Sequence, residues 1–155
     1  MNRRLVPLLF AGVLLTLSTA AAQEDFDPAG ELERAKARKE ELADLAARIK
    51  EGLGKGGHGI AGFDDVLGAV TRHQVQTLLV DNDYSVPGWR CLECGWVGLT
   101  ATERCPACGG ATFRLEDAVG EVIRLAILQN GQVEVGEGIP LLDEMGGVAG
   151  VLRYG

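Results

Sequence analysis

Aromatic side chains are scarce in this chain of 155 residues, at 5% of the total, and histidine occurs only twice. With so few rings, the hydrophobic core must consist mainly of Leu, Val, Ile and Ala. Acidic side chains outnumber basic ones, which gives a formal net charge of −7 at pH 7. This balance disfavours loose, charge-driven binding to nucleic acid, because the phosphate backbone attracts basic surfaces.

The motifs of several common enzyme classes are also missing. The sequence contains no Ser/His/Asp set with a nucleophile elbow, and GLGKGGHG does not end in the Gly-Lys-Ser/Thr of a phosphate-binding loop. His58 and His73 have no partner motif and are expected to face solvent. Paired acids are expected at helix starts, where they complement the helix dipole; they are Asp64-Asp65, Glu116-Asp117 and Asp143-Glu144. We therefore expect no enzymatic activity.

The first 22 residues differ from the rest of the chain. Two arginines precede an apolar run over 5–17, which is shorter than the ~20 residues that span a bilayer. Three alanines follow, with a suitable cleavage point after Ala22, as in a secretory signal. This pattern predicts a signal peptide over 1–22 and an exported mature protein over 23–155, with no membrane association. The alternatives are a buried amphipathic segment or a mistaken start site.

Helical and strand patterns alternate along the remaining chain. Apolar residues at three- and four-residue spacing mark the helices, and short apolar runs mark the strands. Before the cysteines, the predicted elements are a helix over 27–53 with a charged, solvated front half, a flexible connector over 52–59, a helix over 63–73 and a strand over 77–80. After the cysteines, they are a helix from 118 to the stop at Asn130-Gly131, a strand over 133–135, a helical turn from 140 and a strand over 146–154. Alternating strands and helices predict an α/β layer structure.

All four cysteines lie in the stretch RCLECGWVGLTATERCPACGG, which contains the unit Arg-Cys-x-x-Cys-Gly twice. Two such pairs can place four thiolates at the corners of a tetrahedron, the geometry that Zn²⁺ favours in closed structural sites. The spacing therefore predicts a zinc ribbon inserted over 89–114. Its single structural zinc ion is bound by Cys91, Cys94, Cys105 and Cys108.

The neighbours of the cysteines suit such a site. Gly95 and Gly109 follow the second cysteine of each pair and can adopt the positive φ that folds the backbone around a metal. The intervening WVGLTATE is long enough for a small hairpin. Arg90 and Arg104 precede each pair and are placed to offset the excess negative charge of four thiolates around a divalent ion. The alternative for both arginines is that they are simply exposed.

Other chemistry for the cysteines stays open at this point. Export would favour oxidation, and four cysteines allow three disulfide pairings. Iron in a rubredoxin-like site uses the same Cys-x-x-Cys pairs. A catalytic zinc is disfavoured, because four cysteines leave no coordination position for water or substrate.

The order of the segments is itself informative. GIAGFDDVLGAVTRHQVQTLLVDND precedes the cysteine unit, and LEDAVGEVIRLAILQNGQVEVGEG and MGGVAGVLRY follow it. A Thr-Leu-Leu-Val strand at 77–80, a ribbon directly after it and a closing Gly-Gly-x-x-Gly-x-Leu-Arg-Tyr at 146–154 resemble the third, C-terminal domain of archaeal and eukaryotic class-I peptide chain release factors. Their bacterial release-factor-like relatives are more similar still. The resemblance covers everything after the leader.

This resemblance implies a three-layer α/β/α sandwich of the kind found in kink-turn RNA-binding ribosomal proteins. In the full-length factors the domain is a docking module that contacts a translational GTPase and the ribosome. Peptide release uses a Gly-Gly-Gln loop of another domain, and Asn130-Gly131-Gln132 is instead a helix stop. The resemblance thus implies a monomeric, non-enzymatic binding module with a protein partner, and it leaves RNA contact open. The alternative is an exported structural or interaction protein that reuses the fold. If the leader is not used, the family implies a cytoplasmic location.

Overall fold

A computed structural model describes residues 27–54 and 56–154, so the predicted signal peptide over 1–22 lies outside the described residues. The helices are α1 (Pro28–Glu51), α2 (Phe63–Thr71), α3 (Val119–Leu128) and α4 (Pro140–Glu144). The strands are β1 (Gly59–Ala61), β2 (Val75–Asp81), β3 (Gly88–Cys91), β4 (Val97–Gly98), β5 (Thr112–Leu115), β6 (Gln132–Gly136) and β7 (Val148–Leu152). The predicted α/β class is confirmed.

The larger of the two sheets has four strands in the order β1-β7-β2-β6. Strands β2 and β6 are parallel, with Leu78 opposite Val133, whereas β7 is antiparallel to both β1 and β2. The chain between the parallel strands includes the ribbon and then α3, and such a connection is what parallel neighbours require.

Helices cover both faces of this sheet. Leu78 and Val80 of β2 belong to a hydrophobic cluster with α2 and α3, whereas Leu79 between them packs with α1 and α4. Strand β7 also contributes to both clusters, because Val148 packs with α2 and α3 and Ala149 packs with α1 and α4. Successive side chains of a strand point to opposite faces, so a continuous apolar run in β2 supplies two cores at once.

The long helix α1 is half packed and half solvated, as predicted. Its buried residues are Leu42, Leu45, Ala46 and Ile49. Nearly every residue over 28–41 is exposed, which agrees with the charged sequence there. Pro28 occupies the first turn, and the side chain of Asp27 makes no capping hydrogen bond.

Several boundaries differ from the predicted ones for identifiable reasons. The predicted connector over 52–59 ends in β1, which pairs with β7 at the far end of the chain. Helix α2 stops at Thr71, and His73 adopts a φ of 60° before β2 begins. The last strand is shorter than predicted because Gly146 and Gly147 both have positive φ, which an extended strand does not accommodate.

The ribbon is a separate sheet of three short strands in the order β4-β3-β5. We predicted a hairpin within WVGLTATE, but the hairpin is instead formed by β3 and β4 around the first cysteine pair. The ribbon rests on the main body through Val97, which is buried in the cluster of α2 and α3. Gly88 lies so close to Ala118 that a Cβ at Gly88 would be 2.7 Å from the Ala118 methyl group.

Across the two described ranges, no helix combines the length and the apolar character needed to cross a bilayer.

Candidate metal centre

Two backbone loops, which we call the first knuckle (91–96) and the second knuckle (105–110), bring the cysteines together. Each knuckle is closed by the same hydrogen bond, from the amide of its first cysteine to a carbonyl five residues later. Cys91 N donates to Trp96 O at 2.8 Å, and Cys105 N donates to Gly110 O at 2.8 Å. The repeated sequence unit therefore folds into two equivalent loops.

The four sulfur atoms form a compact group. The Sγ atoms of Cys91 and Cys108 are 3.5 Å apart, as are those of Cys94 and Cys105, and all four lie within 4.8 Å of one another. A tetrahedral ion with Zn–S bonds of ~2.3 Å would separate its sulfurs by ~3.8 Å. The donor set and its spacing thus fit a single metal ion.

Backbone amides surround the sulfurs, as a thiolate site requires. The amides of Glu93, Ala107 and Gly110 each donate to a cysteine Sγ at 3.4 Å. Gly95 and Gly109 have φ values of 74° and 75°, which confirms the predicted turn. Both positions have open space where a Cβ would be, so it is backbone conformation that favours glycine there.

The pKa values of the cysteine thiols differ widely in the absence of an ion. The backbone amide of Cys94 is the main cause that lowers the pKa of the Cys91 thiol to about 6, against the opposing effect of burial. The amide of Gly110 lowers the pKa of Cys108, but the neighbouring sulfurs of Cys91 and Cys94 and burial outweigh it and raise that pKa to about 12. A cation that binds here must therefore displace protons at neutral pH.

The two arginines that precede the cysteine pairs have partners of their own. Arg90 Nη1 donates to Glu121 Oε1 at 2.8 Å, and Arg124 Nε donates to Glu121 Oε2 at 2.7 Å. Arg104 Nη1 reaches only the carbonyl of Gly109, at 3.4 Å. Arg90 therefore ties the ribbon to α3, because the largely buried carboxylate of Glu121 requires a charged partner. Nothing in the sequence distinguished Glu121 from other helical acids.

The remaining polar candidates do not belong to the cysteine cluster, although His73 lines a groove together with Cys94. His58 and His73 are exposed, as predicted. Asp64-Asp65 lies in the first turn of α2, and Asp117 accepts a hydrogen bond from Val119 N at the start of α3, but Glu144 ends α4 rather than beginning it. Within the part of the chain that the structure describes, the four cysteines are the sole cluster of His, Cys, Asp and Glu able to hold an ion.

Two shallow grooves flank the first knuckle where it meets α3. Cys94 and Leu125 line both grooves, whose volumes are about 510 and 490 Å³. Phe113 lies in the first groove, and Trp96 and Leu128 line the second. Leu128 is 66% exposed, so an apolar surface adjoins the ribbon.

Comparison with solved structures gives clear matches, although no protein-family model and no curated protein sequence matches the chain. The C-terminal domain of a peptide chain release factor from Methanosarcina mazei aligns with 84% of this chain and 97% of its own length. The sequence identity is 25% and the TM-score is 0.50.

Archaeal Pelota has a similar part. Pelota in a model of the ribosome-bound protein with ABCE1 aligns with 80% of this chain at 20% identity and a TM-score of 0.54. Pelota from Archaeoglobus fulgidus aligns with 81% at 19% identity and a TM-score of 0.51. The match spans only 29% and 35% of these longer chains. The predicted resemblance is thus confirmed at the level of structure: this chain has the fold of the C-terminal domain of archaeal release factors, and part of Pelota shares it.

Proposed function

We propose that this protein is a non-enzymatic binding module that docks onto a component of the translation apparatus, either the ribosome or a ribosome-associated protein such as a translational GTPase. The observation that carries the proposal is the alignment with a release-factor C-terminal domain over 97% of that domain's length. The ribosome-bound state of the similar Pelota supports it. The four-cysteine site suits a structural part of such a module, since four thiolates leave no open position for substrate.

In this proposal, a single structural Zn²⁺ is bound by all four cysteines, Cys91, Cys94, Cys105 and Cys108. Soft thiolate donors select zinc or iron over magnesium and calcium, and a compact tetrahedral group suits zinc. The strands of the ribbon have two to four residues each and contribute few buried side chains, so an ion supplies the stability that a core cannot.

Metal analysis and thiol titration test the zinc assignment. We expect one zinc per chain and four free thiols after denaturation in the presence of a chelator. A red or brown protein that contains iron would assign iron to the site instead of zinc. Denatured protein without free thiols would show that the cysteines form disulfides.

The surface beside the ribbon is the proposed docking face. Leu92 and Leu128, which line the grooves beside the first knuckle, are exposed by 68% and 66%, and Ile127 next to Leu128 is exposed by 57%; exposed apolar surface of this kind marks protein interaction sites. The net charge of −7 favours a protein partner over direct binding to RNA.

Sedimentation of the purified protein with ribosomes at several salt concentrations tests the docking proposal. We expect co-sedimentation, and we expect the double variant Ile127→Ser/Leu128→Ser to weaken it about tenfold, since about 1.4 kcal/mol of binding energy corresponds to that factor. Leu32→Ser is the matched control, because Leu32 is equally exposed on α1. If the protein does not sediment with ribosomes at low salt, either alone or with an added translational GTPase, the proposal is wrong.

A second candidate function follows from the leader pattern over 1–22. An exported protein would meet no ribosome, and it would use the same fold for an extracytoplasmic structural or interaction role. The N-terminus of the native protein decides between the two. A chain that begins at Gln23 supports export, whereas a chain that retains the leader supports the role in translation.

A further inference from the structure

We propose that the cysteine cluster is also a site of oxidative modification, where a peroxide links each exposed cysteine to a buried cysteine of the opposite knuckle. The resulting disulfides are Cys94–Cys105 and Cys108–Cys91. This inference goes beyond the proposed function, which uses the cluster only to hold an ion. It rests on two observations, the exposure of the sulfur-bearing residues and the distances between them.

Exposure divides the cysteines into two kinds. Cys91 and Cys105 are buried, at 1% and 3% exposure, whereas Cys94 and Cys108 are exposed. A small oxidant arriving from solvent therefore meets Cys94 or Cys108 first. Accessible thiolates beside a second cysteine are the ones that oxidise reversibly, because the neighbour can resolve the first product.

The chemistry is balanced with hydrogen peroxide as the only co-reactant. The thiol of Cys94 gives up its proton as its sulfur attacks one peroxide oxygen, the O–O bond breaks, and the departing hydroxide takes up that proton to form water. Cys94 is then a sulfenic acid, with its sulfur oxidised and the peroxide reduced. The thiolate of Cys105 attacks that sulfur, the S–O bond breaks, and the departing hydroxide also becomes water. Cys108 and Cys91 react in the same way with a second peroxide.

Two direct sulfur contacts join the two knuckles. The Sγ atoms of Cys94 and Cys105, and those of Cys91 and Cys108, are in contact at 3.5 Å and need to move by ~1.5 Å to reach a bonded length. The backbone brings these partners together, because Leu92 N donates to Ala111 O at 3.0 Å and so places the first knuckle beside the segment that leaves the second.

Exposure excludes the third pairing. Joining Cys91 to Cys105 would link the two buried residues, and neither of them meets the oxidant first. Two of the three pairings that four cysteines allow lie across the knuckles, and only Cys94–Cys105 with Cys91–Cys108 joins an exposed residue to a buried neighbour in each bond. Each bond also removes two thiolate donors, so oxidation releases a bound ion.

Peptide mapping of the peroxide-treated, metal-loaded full chain tests the pairing. After the free thiols are blocked, trypsin and a Glu-specific protease produce peptides 91–93, 94–103 and 105–114. We expect all three peptides in one disulfide-linked species, with fragmentation placing Cys105 on 94–103 and Cys108 on 91–93. An internal disulfide in 105–114, a Cys91–Cys105 bond, or oxidation to sulfinic acid without disulfides would overturn the proposal.

Two matched variants keep the test independent of metal binding. In Cys108→Ser we expect the Cys94–Cys105 bond to form while Cys91 stays a free thiol. In Cys105→Ser we expect the Cys91–Cys108 bond, with a sulfenic acid on Cys94 that dimedone traps. Formation of a Cys91–Cys94 bond in Cys108→Ser at the rate of the expected bond would contradict the proposal. If the protein contains no zinc but peroxide still produces the expected disulfides, this inference stands and only the zinc assignment is wrong.

Discussion

At the scale of single residues, the four cysteines share one sequence context but not one environment. The pKa of Cys91 is lowered to about 6 and that of Cys108 is raised to about 12, and two of the four residues are buried. The Arg-Cys-x-x-Cys-Gly repeat predicts equivalent roles, and the knuckles have equivalent backbones. Burial follows the repeat, since the first cysteine of each pair is buried and the second is exposed. The difference in pKa has a local cause in the amide of Cys94, which lowers the pKa of Cys91, and a tertiary cause in the sulfurs of the first knuckle, which outweigh the lowering effect of the Gly110 amide and raise the pKa of Cys108.

Replacement of one cysteine tests the metal site at this scale. We expect Cys105→Ser to lose the ion and to disorder residues 89–114, while the four-stranded sheet remains folded, because the sheet has its own core. Metal content and amide hydrogen exchange measure the two effects. Leu92→Ala is the control, since Leu92 lies in the first knuckle of the same ribbon with its side chain in solvent, and it should retain the ion. Unchanged metal stoichiometry in Cys105→Ser would count against the site.

Tyr84 provides a prediction on pH. Burial, with a smaller contribution from the charge of Asp64, raises the pKa of Tyr84 above its ordinary value of 10.0. The folded state therefore keeps the phenolic proton at a pH where the unfolded chain has lost it. The contribution of Tyr84 is fully present below pH 10 and is lost as the pH rises through the folded pKa.

We accordingly expect the free energy of unfolding of the wild type to fall above pH 10 more steeply than that of Tyr84→Phe. Urea unfolding of both proteins from pH 8 to 11 measures the difference, in which all other alkaline titrations cancel. Parallel curves would show that the phenol has the same pKa in both states.

At the scale of elements, the helices follow the sequence closely and the short strands do not. The apolar spacing in α1 places Leu42 and Ile49 on the buried side, as observed. Strand β1 was not predicted, since Gly59 was assigned to the connector over 52–59 and 60–61 to no element, because three residues, Gly-Ile-Ala, show no alternation. It exists because β7 pairs with it, and this contact joins residues about ninety positions apart. The strands of the ribbon are likewise defined by their partners.

The contact between the end of α1 and the start of β1 can be tested with glycine. A Cβ at Gly59 would lie 2.2 Å from the carbonyl oxygen of Ile49, and backbone cannot move away cheaply. We expect Gly59→Ala to lower the free energy of unfolding by roughly 2 kcal/mol, within the usual cost of overpacking. Urea denaturation measures this effect.

Gly120 supplies the matched control for this substitution. It lies on α3 with its nearest neighbouring atom 3.9 Å from the added Cβ, so Gly120→Ala meets no obstacle. Because alanine suits a helix better than glycine does, we expect that variant to gain about 0.5 kcal/mol. An equal response of the two variants would mean that helix α1 and strand β1 are not in the contact described.

At the scale of the whole molecule, the central sheet joins two hydrophobic clusters into one structure. Strands β2 and β7 contribute side chains to both clusters, so neither helix layer can be removed without exposing the sheet. The ribbon has its own short strands but rests on one of these clusters through Val97. This arrangement explains how a region with few buried residues keeps a defined orientation beside α3.

Neighbouring residues of β2 test the coupling of the two clusters. Leu78 and Leu79 are fully buried on opposite faces. We expect Leu78→Ala and Leu79→Ala each to lower the free energy of unfolding by about 2–5 kcal/mol and to keep a single cooperative transition. Hydrogen exchange of the amides of α1 and of the amides of α2, one helix as a probe for each face, measures this at increasing urea concentration. Separate transitions for the two probes in either variant would show that the faces unfold independently.

The sequence by itself determined the α/β class, the positions of the helices, the clustering of the cysteines and the resemblance to release factors. These features depend on local spacing, and helical periodicity and the Cys-x-x-Cys unit are local. The tertiary structure decided that 59–61 becomes a strand, that Arg90 pairs with Glu121, and which sulfurs are in contact. Each of these depends on residues that are distant along the chain and are brought together only when the sheet and the knuckles pack.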